Sequence, residues 1–207
     1  MFQDRAEAGS RLASLLSHRG VEADIVLGIP RGALPVARPV ADELGVPLDV
    51  VVASKIGAPG NPELAIGAVA SDGTVWRNED LISHLNVDEE YVERERQREA
   101  DYAREKVDRY RGDRPAPDLQ GKRVIVVDDG IATGATAIAC LRQVRNAGAE
   151  RVLMAVPVGS PDSVESLRTE ADDVIAVETP VTFSAVGQFY RSFAQVSDEE
   201  AMEYLDS

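Results

Sequence analysis

The sequence predicts an α/β protein built on a parallel β-sheet flanked by helices. Short apolar runs rich in valine and isoleucine alternate along the chain with segments of helical periodicity. Continuous apolar runs are typical of strands buried on both faces of a parallel sheet. Alternation of strand and helix favours right-handed crossovers between parallel strands. The 207 residues suit a single domain spanning residues 1–207.

The predicted elements follow one another at regular intervals. The candidate strands are residues 24–28, 48–53, 66–70, 123–127, 151–156 and 173–177. Apolar stripes at helical spacing precede the first strand (Leu12, Leu15, Leu16) and follow the fourth (Ala137, Leu141, Val144). Ligands of such sheets bind beyond the carboxyl ends of the strands, so the residues directly after each strand are the first candidates for a site.

A densely charged segment at about residues 86–114 interrupts this alternation. Pairs of opposite charge at helical spacing, such as Glu90–Arg94 and Glu105–Arg109, predict a long helix with a thin apolar stripe. Two interpretations are open at this stage. The helix lies on the surface with a solvated outer face, or it forms a mobile cover over a site.

Composition and charge exclude several classes of protein. The formal net charge is -14, and so acidic a surface argues against binding to nucleic acid or to an anionic membrane. No apolar run approaches the ~18 residues of a membrane span, and the first residues lack a signal-peptide pattern. The single cysteine, Cys140, has no disulfide partner, which is typical of a reducing compartment. We therefore expect a cytoplasmic protein.

The strongest functional signal is the run VIVVDDGIATGAT at residues 124–136. An apolar strand ends at the adjacent carboxylates of Asp128 and Asp129, and a turn of small residues then leads into a helix. The free N–H groups and the dipole of a helix start favour a phosphate dianion. Carboxylates accept hydrogen bonds, so they suit hydroxyls such as the vicinal pair of a ribose. The run lacks the P-loop and dinucleotide-binding patterns and predicts a site for ribose 5-phosphate, with direct Mg²⁺ binding by the two carboxylates as the alternative.

This run resembles the signature of the type I phosphoribosyltransferases, which bind phosphoribosyl pyrophosphate (PRPP). The resemblance implies a core parallel sheet of about five strands with a smaller hood. Residues 86–114 would then be a helical insertion, and residues 179–207 would contribute a hood segment. Asp128 and Asp129 would hold the 2′ and 3′ hydroxyls of the ribose. The residues that would hold the 5-phosphate are Gly130, Ile131, Ala132, Thr133, Gly134, Ala135 and Thr136.

A second motif, GIPRGA at residues 28–33, follows the first predicted strand. Arg31 offers a permanently charged planar fork that suits phosphate oxygens, and Gly32 allows close approach of the backbone. The segment is similar to the pyrophosphate-binding loop of the same family, in which the peptide bond before the basic residue is often cis. Here that bond joins Pro30 and Arg31. Taken alone, the segment would be interpreted as an ordinary turn with a solvated arginine, and it is the first motif that favours the phosphate-binding role.

Lys55 follows the second predicted strand, and we expect it to be a third phosphate contact. The stretch rich in glycine and proline at residues 57–63 is interpreted as a loop that faces the site, with a hairpin turn as the alternative. This loop and the charged helix are the two candidates for a cover that closes over the substrate.

Four aromatic residues fall between Phe183 and Phe193, although only 5% of the chain is aromatic. In the resembled family an aromatic residue of the hood stacks on the acceptor ring, which makes Phe189 and Tyr190 candidates. A hydrophobic cluster that fixes the C-terminal tail has equal weight. Together with GIPRGALPVA and KIGAPGNPELAIGAV, this tail resembles stand-alone phosphoribosyltransferases whose acceptor is unassigned.

The resemblance implies transfer of ribose 5-phosphate from PRPP to a nitrogenous base, with release of pyrophosphate. Mg²⁺ would be bound mainly through PRPP, and the residues name no protein ligand for it. Arg31 and Lys55 would neutralise the departing charge. Family members that use hypoxanthine or guanine carry a carboxylate four residues after the first acidic position. That position here is Ala132, so we expect poor activity on these two bases.

Two other functions are compatible with the sequence. The first is a regulator that binds PRPP or a nucleotide without consuming it. The second is a phosphosugar hydrolase in which the carboxylate pair binds the metal. Neither a spare helical domain nor a basic patch is visible, so a DNA-binding surface is not expected. A homodimer is compatible with the sequence.

Overall fold

The computed structural model describes residues 1–206, which form two β-sheets and the helices that cover them. The strands, in chain order, are β1 (Ile25–Gly28), β2 (Leu48–Val50), β3 (Ala53–Ala58), β4 (Asn61–Ala70), β5 (Val75–Arg77), β6 (Arg123–Val127), β7 (Arg151–Val158) and β8 (Asp173–Glu178). The helices are α1 (Arg5–His18), α2 (Leu34–Leu44), α3 (Glu79–His84), α4 (Glu89–Arg111), α5 (Ala135–Asn146), α6 (Pro161–Leu167) and α7 (Asp198–Asp206), with a 3₁₀ turn at Val186–Phe189.

The larger sheet has five parallel strands in the order β2-β1-β6-β7-β8. Successive residues of β6 point to opposite faces. Ile125 packs in the core beneath α1 and α2, and Val126 packs in the core beneath α5 and α6. This confirms the predicted parallel sheet with helices on both faces. Gly28 of β1 pairs with Val127 of β6, so the loops after these two strands leave the sheet side by side.

The smaller sheet is antiparallel, with strand order β3-β4-β5. The apolar run at residues 66–70 belongs to β4 of this sheet, so its assignment to the parallel sheet was wrong. The run is nevertheless covered on both faces. Ile66 packs with residues of α4, and Ala68 packs against α5. Two-sided burial produces the same apolar pattern in either kind of sheet.

Residues 57–63 form a hairpin turn and not the loop that was expected. β3 ends at Ala58 and β4 begins at Asn61, so Pro59 and Gly60 alone separate the two strands. Lys55 therefore lies within β3, where it pairs with Ala68. Its placement after a strand was wrong, although its side chain is exposed.

The charged segment forms a long surface helix. α4 has 23 residues, and its thin apolar stripe faces the protein. Val92 and Ala100 pack against the smaller sheet, whereas Ala103 and Tyr110 join the core of the larger one. The interpretation of a surface helix is therefore confirmed. No helix within the described residues is both long and apolar enough to cross a membrane.

Candidate functional site

The loops after β1 and β6 touch each other at Gly32 and Asp129. A Cβ atom at Gly32 would lie 2.2 Å from Oδ2 of Asp129 and 3.2 Å from Nε of Arg5. A side chain at this position would displace the carboxylate of Asp129, so glycine lets the two loops approach with that carboxylate in place. The structure thus brings the two motifs of the sequence into direct contact.

The β1–α2 loop carries Arg31 toward a carboxylate of the C-terminal helix. The Pro30–Arg31 peptide bond is cis, as the resemblance implied. Nη1 of Arg31 lies 3.8 Å from Oδ1 of Asp198. The same carboxylate accepts hydrogen bonds from Oη of Tyr110 at 2.5 Å and from Nη1 of Arg109 at 2.6 Å. Arg31 therefore has a partner inside the protein.

Asp198 is held in its charged form by these donors. The hydrogen bond from Tyr110 and the guanidinium of Arg109 lower the pKa of Asp198 below its ordinary value. Burial, and then the hydrogen bond to Asp198, raise the pKa of Tyr110. The hydroxyl of Tyr110 therefore stays protonated and donates a hydrogen bond to the carboxylate. Sequence reasoning missed Asp198, because it lies 167 positions from Arg31 and no local motif marks it.

The β6–α5 loop surrounds an open cavity of about 210 Å³. The predicted phosphate residues 130–136 line it, together with Lys55, Asp128, Ala137 and Val186. α5 begins at Ala135, and no side chain caps its N-terminus. The N–H groups of the first helical turn have no partners within the helix. They are therefore available to an anion in the cavity.

Two residues of this loop have specific backbone roles. Gly134 is the N-cap of α5 with φ at +79°, a left-handed conformation that glycine adopts without strain. Ile131 differs from its neighbours because its N–H already donates to the carbonyl oxygen of Val158 at 2.9 Å. The backbone N–H of Ile131 is not free for the phosphate, and the residue forms a wall of the site.

Lys55 lies between two cavities. Its side chain lines the cavity of the β6–α5 loop. It also lines a second cavity of about 260 Å³ between the hairpin and α4, together with Tyr91, Glu95 and Glu99. The structure thus brings Lys55 close to Asp128, although by a different element from the predicted loop.

The two carboxylates have different surroundings. Oδ1 of Asp128 accepts a hydrogen bond from the N–H of Asp129 at 2.8 Å, and Asp128 forms no ion pair with another of residues 1–206. Burial and the neighbouring charge of Asp129 raise the pKa of Asp128 well above its ordinary value. Burial also raises the pKa of Asp129, but Arg5 opposes the rise. Nε of Arg5 donates to Oδ2 of Asp129 at 2.8 Å, a contact that no sequence motif signalled.

Tyr190 is a core residue and does not offer its ring to a base. It is 6% exposed, and its ring packs against Phe2 at 5.3 Å and Phe193 at 4.9 Å between centroids. Its hydroxyl donates to the carbonyl oxygen of Asp129 at 2.6 Å. The alternative of a cluster that fixes the tail is correct for Tyr190. Phe189 is half-buried beside Phe183 and stays a stacking candidate.

Comparison with known proteins identifies the family. The model described as the phosphoribosyl transferase domain matches residues 3–191. The chain belongs to this phosphoribosyl transferase family. Membership agrees with the resemblance that the two motifs carry.

Relatives of this phosphoribosyl transferase domain are known in bacteria. Two Mycobacterium tuberculosis proteins, one from strain CDC 1551 / Oshkosh and one from H37Rv, carry the provisional name phosphoribosyl transferase. Each is 42% identical over 206 residues, which is 100% of this chain and 46% of the relative. The chain thus spans about half the length of these curated relatives. TT1426 from Thermus thermophilus, whose crystal structure is known, is 45% identical in sequence to this chain. The alignment covers 99% of this chain and 97% of TT1426, and the two structures superpose with a TM-score of 0.83.

Proposed function

We propose that the chain transfers ribose 5-phosphate from PRPP to a nitrogenous base in a Mg²⁺-dependent reaction that releases pyrophosphate. The observation that supports it is the contact of the two loops at Gly32 and Asp129. This contact gathers Arg31, two carboxylates and an uncapped helix N-terminus at the carboxyl end of one sheet. A ribose with a phosphate on one side and a pyrophosphate on the other needs this combination of donors and acceptors.

Each part of PRPP has a complementary group in the site. The 5-phosphate would accept hydrogen bonds from the first turn of α5 and from the hydroxyls of Thr133 and Thr136. The ribose hydroxyls would donate to Asp128 and Asp129. The pyrophosphate would lie toward Arg31 and Lys55, whose positive charges attract it.

The proposed reaction exchanges one bond at the anomeric carbon for another. The bond from this carbon to the pyrophosphate oxygen breaks with its electron pair, and a base nitrogen forms the new bond and loses a proton to solvent. Negative charge grows on the pyrophosphate, so Arg31 and Lys55 stabilise the transition state more than the ground state. The carboxylates fix the ribose in position for the attack.

A divalent cation suits this site when it arrives with PRPP. No group of three or more potential ligands that could hold a metal ion occurs among residues 1–206. Mg²⁺ prefers oxygen ligands and is commonly held by one or two carboxylates together with substrate phosphates. The residues that would face it are Asp128 and Asp129, and it would act as a Lewis acid on the pyrophosphate.

The acceptor is proposed to be a base other than hypoxanthine or guanine. Ala132 stands where the enzymes for those two bases carry a carboxylate, and its exposed side chain has no group that accepts a proton. Phe189 is the proposed stacking residue. We further propose that the protein acts in the cytoplasm, without a nucleic-acid or membrane partner and as a monomer or homodimer.

A panel of nucleobases, incubated with the protein, PRPP and Mg²⁺, tests this function by the release of pyrophosphate. Release that requires a base supports transfer. Little turnover is expected with guanine or hypoxanthine, and rapid Mg²⁺-dependent turnover of either would contradict the acceptor proposal. The double variant Asp128→Asn, Asp129→Asn should abolish binding of PRPP. A wild type that neither binds PRPP nor releases pyrophosphate would overturn the function.

A regulator that only binds PRPP is the second candidate. The observation that favours it is the contact of Arg31 with Asp198, which engages the pyrophosphate side of the site. Binding of PRPP without release of pyrophosphate for any base would identify the regulator. Release of phosphate or pyrophosphate without a base would instead indicate a hydrolase.

A further inference from the structure

Arg5 is fixed in place next to the carboxylate pair before any ligand binds. It begins α1, and its side chain is 12% exposed. Nε donates to Oδ2 of Asp129 at 2.8 Å, and Nη1 donates to the carbonyl oxygen of Ala194 at 2.6 Å. The guanidinium carbon lies 3.8 Å from the centroid of the Phe193 ring. These three contacts remove most of the rotamer freedom of a long side chain.

Asp129 needs such a partner because its surroundings disfavour its charge. It lies beside a second carboxylate, and its side chain is 16% exposed. Two neighbouring carboxylates that are withdrawn from water repel each other and lose hydration. A guanidinium that donates to one of them supplies both the opposite charge and a hydrogen bond.

The hydrogen bond from Arg5 also determines which carboxylate oxygen of Asp129 is left for a ligand. Oδ2 is the oxygen that Arg5 contacts and that lies against Gly32. The main chain of Asp129 is held at its N–H by Asp128 and at its carbonyl oxygen by Tyr190. With the main chain and Oδ2 engaged, Oδ1 is the oxygen left for a ligand.

We propose that Arg5 is a positioning residue of the ribose site, which acts through Asp129 and directs its Oδ1 toward a ribose hydroxyl. This inference rests on the proposed function, because it assumes that PRPP binds at the two loops. The first turn of α1 and the C-terminal tail meet at Arg5, so both segments would contribute to ligand binding. Neither segment contains a residue of the two family motifs.

The test is a double-mutant cycle on PRPP binding, measured by calorimetry in the presence of Mg²⁺. The variants are Arg5→Gln, Arg5→Lys, Asp129→Asn and the combination of Arg5→Gln with Asp129→Asn. Arg11→Gln is the matched control. Arg11 lies on the same helix, pairs with Glu178 at 3.1 Å and stacks on Phe2, but it does not touch the loops.

Arg5→Gln should weaken PRPP binding about tenfold or more, since it removes a charged hydrogen bond from a buried carboxylate. Arg5→Lys should restore part of the affinity, because lysine keeps the charge but not the planar fork. In the Asp129→Asn background the further change from Arg5→Gln should be small, because residues that act through one another are not additive. Arg11→Gln should leave the affinity unchanged.

Four outcomes would contradict parts of this scheme, and they are distinguishable. A wild type that does not bind PRPP overturns the proposed function, and the role of Arg5 falls with it. A wild type that binds while Arg5→Gln binds equally well overturns the role of Arg5 alone. An equal loss of affinity from Arg5→Gln with and without Asp129 shows that Arg5 only fixes the tail. A thermal melt would show whether Arg5→Gln folds. If it does not fold, Arg5→Lys takes its place in the test, and wild-type affinity in Arg5→Lys overturns the proposal.

Discussion

The two loops of the candidate site differ in how far they are ready for a ligand. The β6–α5 loop encloses an open cavity, and its helix N-terminus has no side-chain cap. In the β1–α2 loop, Arg31 already faces the carboxylate of Asp198. Under the proposed function, a phosphate at the β6–α5 loop would add contacts, whereas a pyrophosphate at the β1–α2 loop would compete with Asp198 for Arg31.

The difference follows from the donors that each loop uses. Backbone N–H groups carry only partial charges, and water satisfies them when the site is empty. A guanidinium carries a full charge, and the side chain of Arg31 is only 35% exposed. A charge in such a position is stabilised by an opposite charge nearby. In a phosphate site, an arginine therefore has a stronger need for an oppositely charged partner within the protein than a helix N-terminus has.

The largest effect is expected from Gly32→Ala, which displaces the carboxylate of Asp129 from its position between the two loops. Its Cβ would lie 2.2 Å from Oδ2 of Asp129, and a displacement of about 1 Å in a binding group can cost about a hundredfold. We expect PRPP affinity to fall by at least that factor, measured by calorimetry. Gly20→Ala is the control, because its φ of +64° gives backbone strain but no atom lies within 4 Å. Wild-type affinity in Gly32→Ala would show that the loops do not need this contact.

Asp128→Asn should weaken binding while it stabilises the fold. Loss of a charged acceptor for a ribose hydroxyl costs about tenfold to a hundredfold in affinity. The raised pKa of Asp128 means that its ionised form opposes folding at neutral pH. The neutral amide removes this cost, and each 1 kcal/mol gained raises Tm by about 2–4 °C.

Asp129→Asn provides the contrast for that variant. It also removes a carboxylate of raised pKa, but it leaves Arg5 without its counter-charge, so Tm should be lower than in Asp128→Asn. Differential scanning calorimetry at neutral pH compares the two variants directly. If both change Tm to the same extent, the two carboxylates do not differ in the way their contacts indicate.

The pH dependence of PRPP binding distinguishes the contribution of the two carboxylates from that of Arg31 and Lys55. Raised pKa values mean that Asp128 and Asp129 take up protons at a higher pH than ordinary aspartates. As the pH falls, PRPP affinity should therefore begin to weaken at a higher pH than it would if both aspartates had ordinary pKa values. The stability contributed by the same pair changes in the opposite direction, because the folded state binds the protons more tightly than the unfolded state. Titration of the affinity of wild type and Asp128→Asn tests this, and identical profiles would contradict it.

The smallest effect is expected from Asp198→Asn, which removes the competing charge at Arg31. The amide oxygen can still accept the hydrogen bond of Tyr110, so the helix should stay in place. Pyrophosphate affinity should rise severalfold, on the order of 2–10-fold, because Arg31 no longer has to leave an anion. Asp206→Asn is the control, since Asp206 lies on the same helix and pairs with Arg114. Weaker pyrophosphate binding in Asp198→Asn would contradict an opposing role for this carboxylate.

The sequence was sufficient for the parts of the fold that depend on local patterns. β6 has the predicted bounds, because its apolar run and the following carboxylates define both ends. The hairpin of β3 and β4 was predicted only as the alternative to a loop, because strands covered on two faces look alike in parallel and antiparallel sheets. Tyr190 was ambiguous for a similar reason, since an aromatic residue of a tail cluster has the same composition signal as a stacking ring.

The residues that complete the candidate site could not be found in the same way. Arg5 and Asp129 are 124 positions apart, and Arg31 and Asp198 are 167 apart. Neither Arg5 nor Asp198 belongs to a motif, and arginine and aspartate are common throughout this chain. Only the packing of α1 and α7 in the folded chain brings these side chains to their partners, so their roles required the structure.

The bond between the N–H of Phe2 and the carbonyl oxygen of Phe189 joins two distant parts of the chain. During synthesis the first strands and the β6–α5 loop leave the ribosome well before this partner does. The hydrogen bond from Tyr190 to Asp129 and the bond from Arg5 to Ala194 are then still missing. We expect a nascent chain to gain ligand affinity only after these residues emerge, which makes this site one of the last parts of the protein to mature.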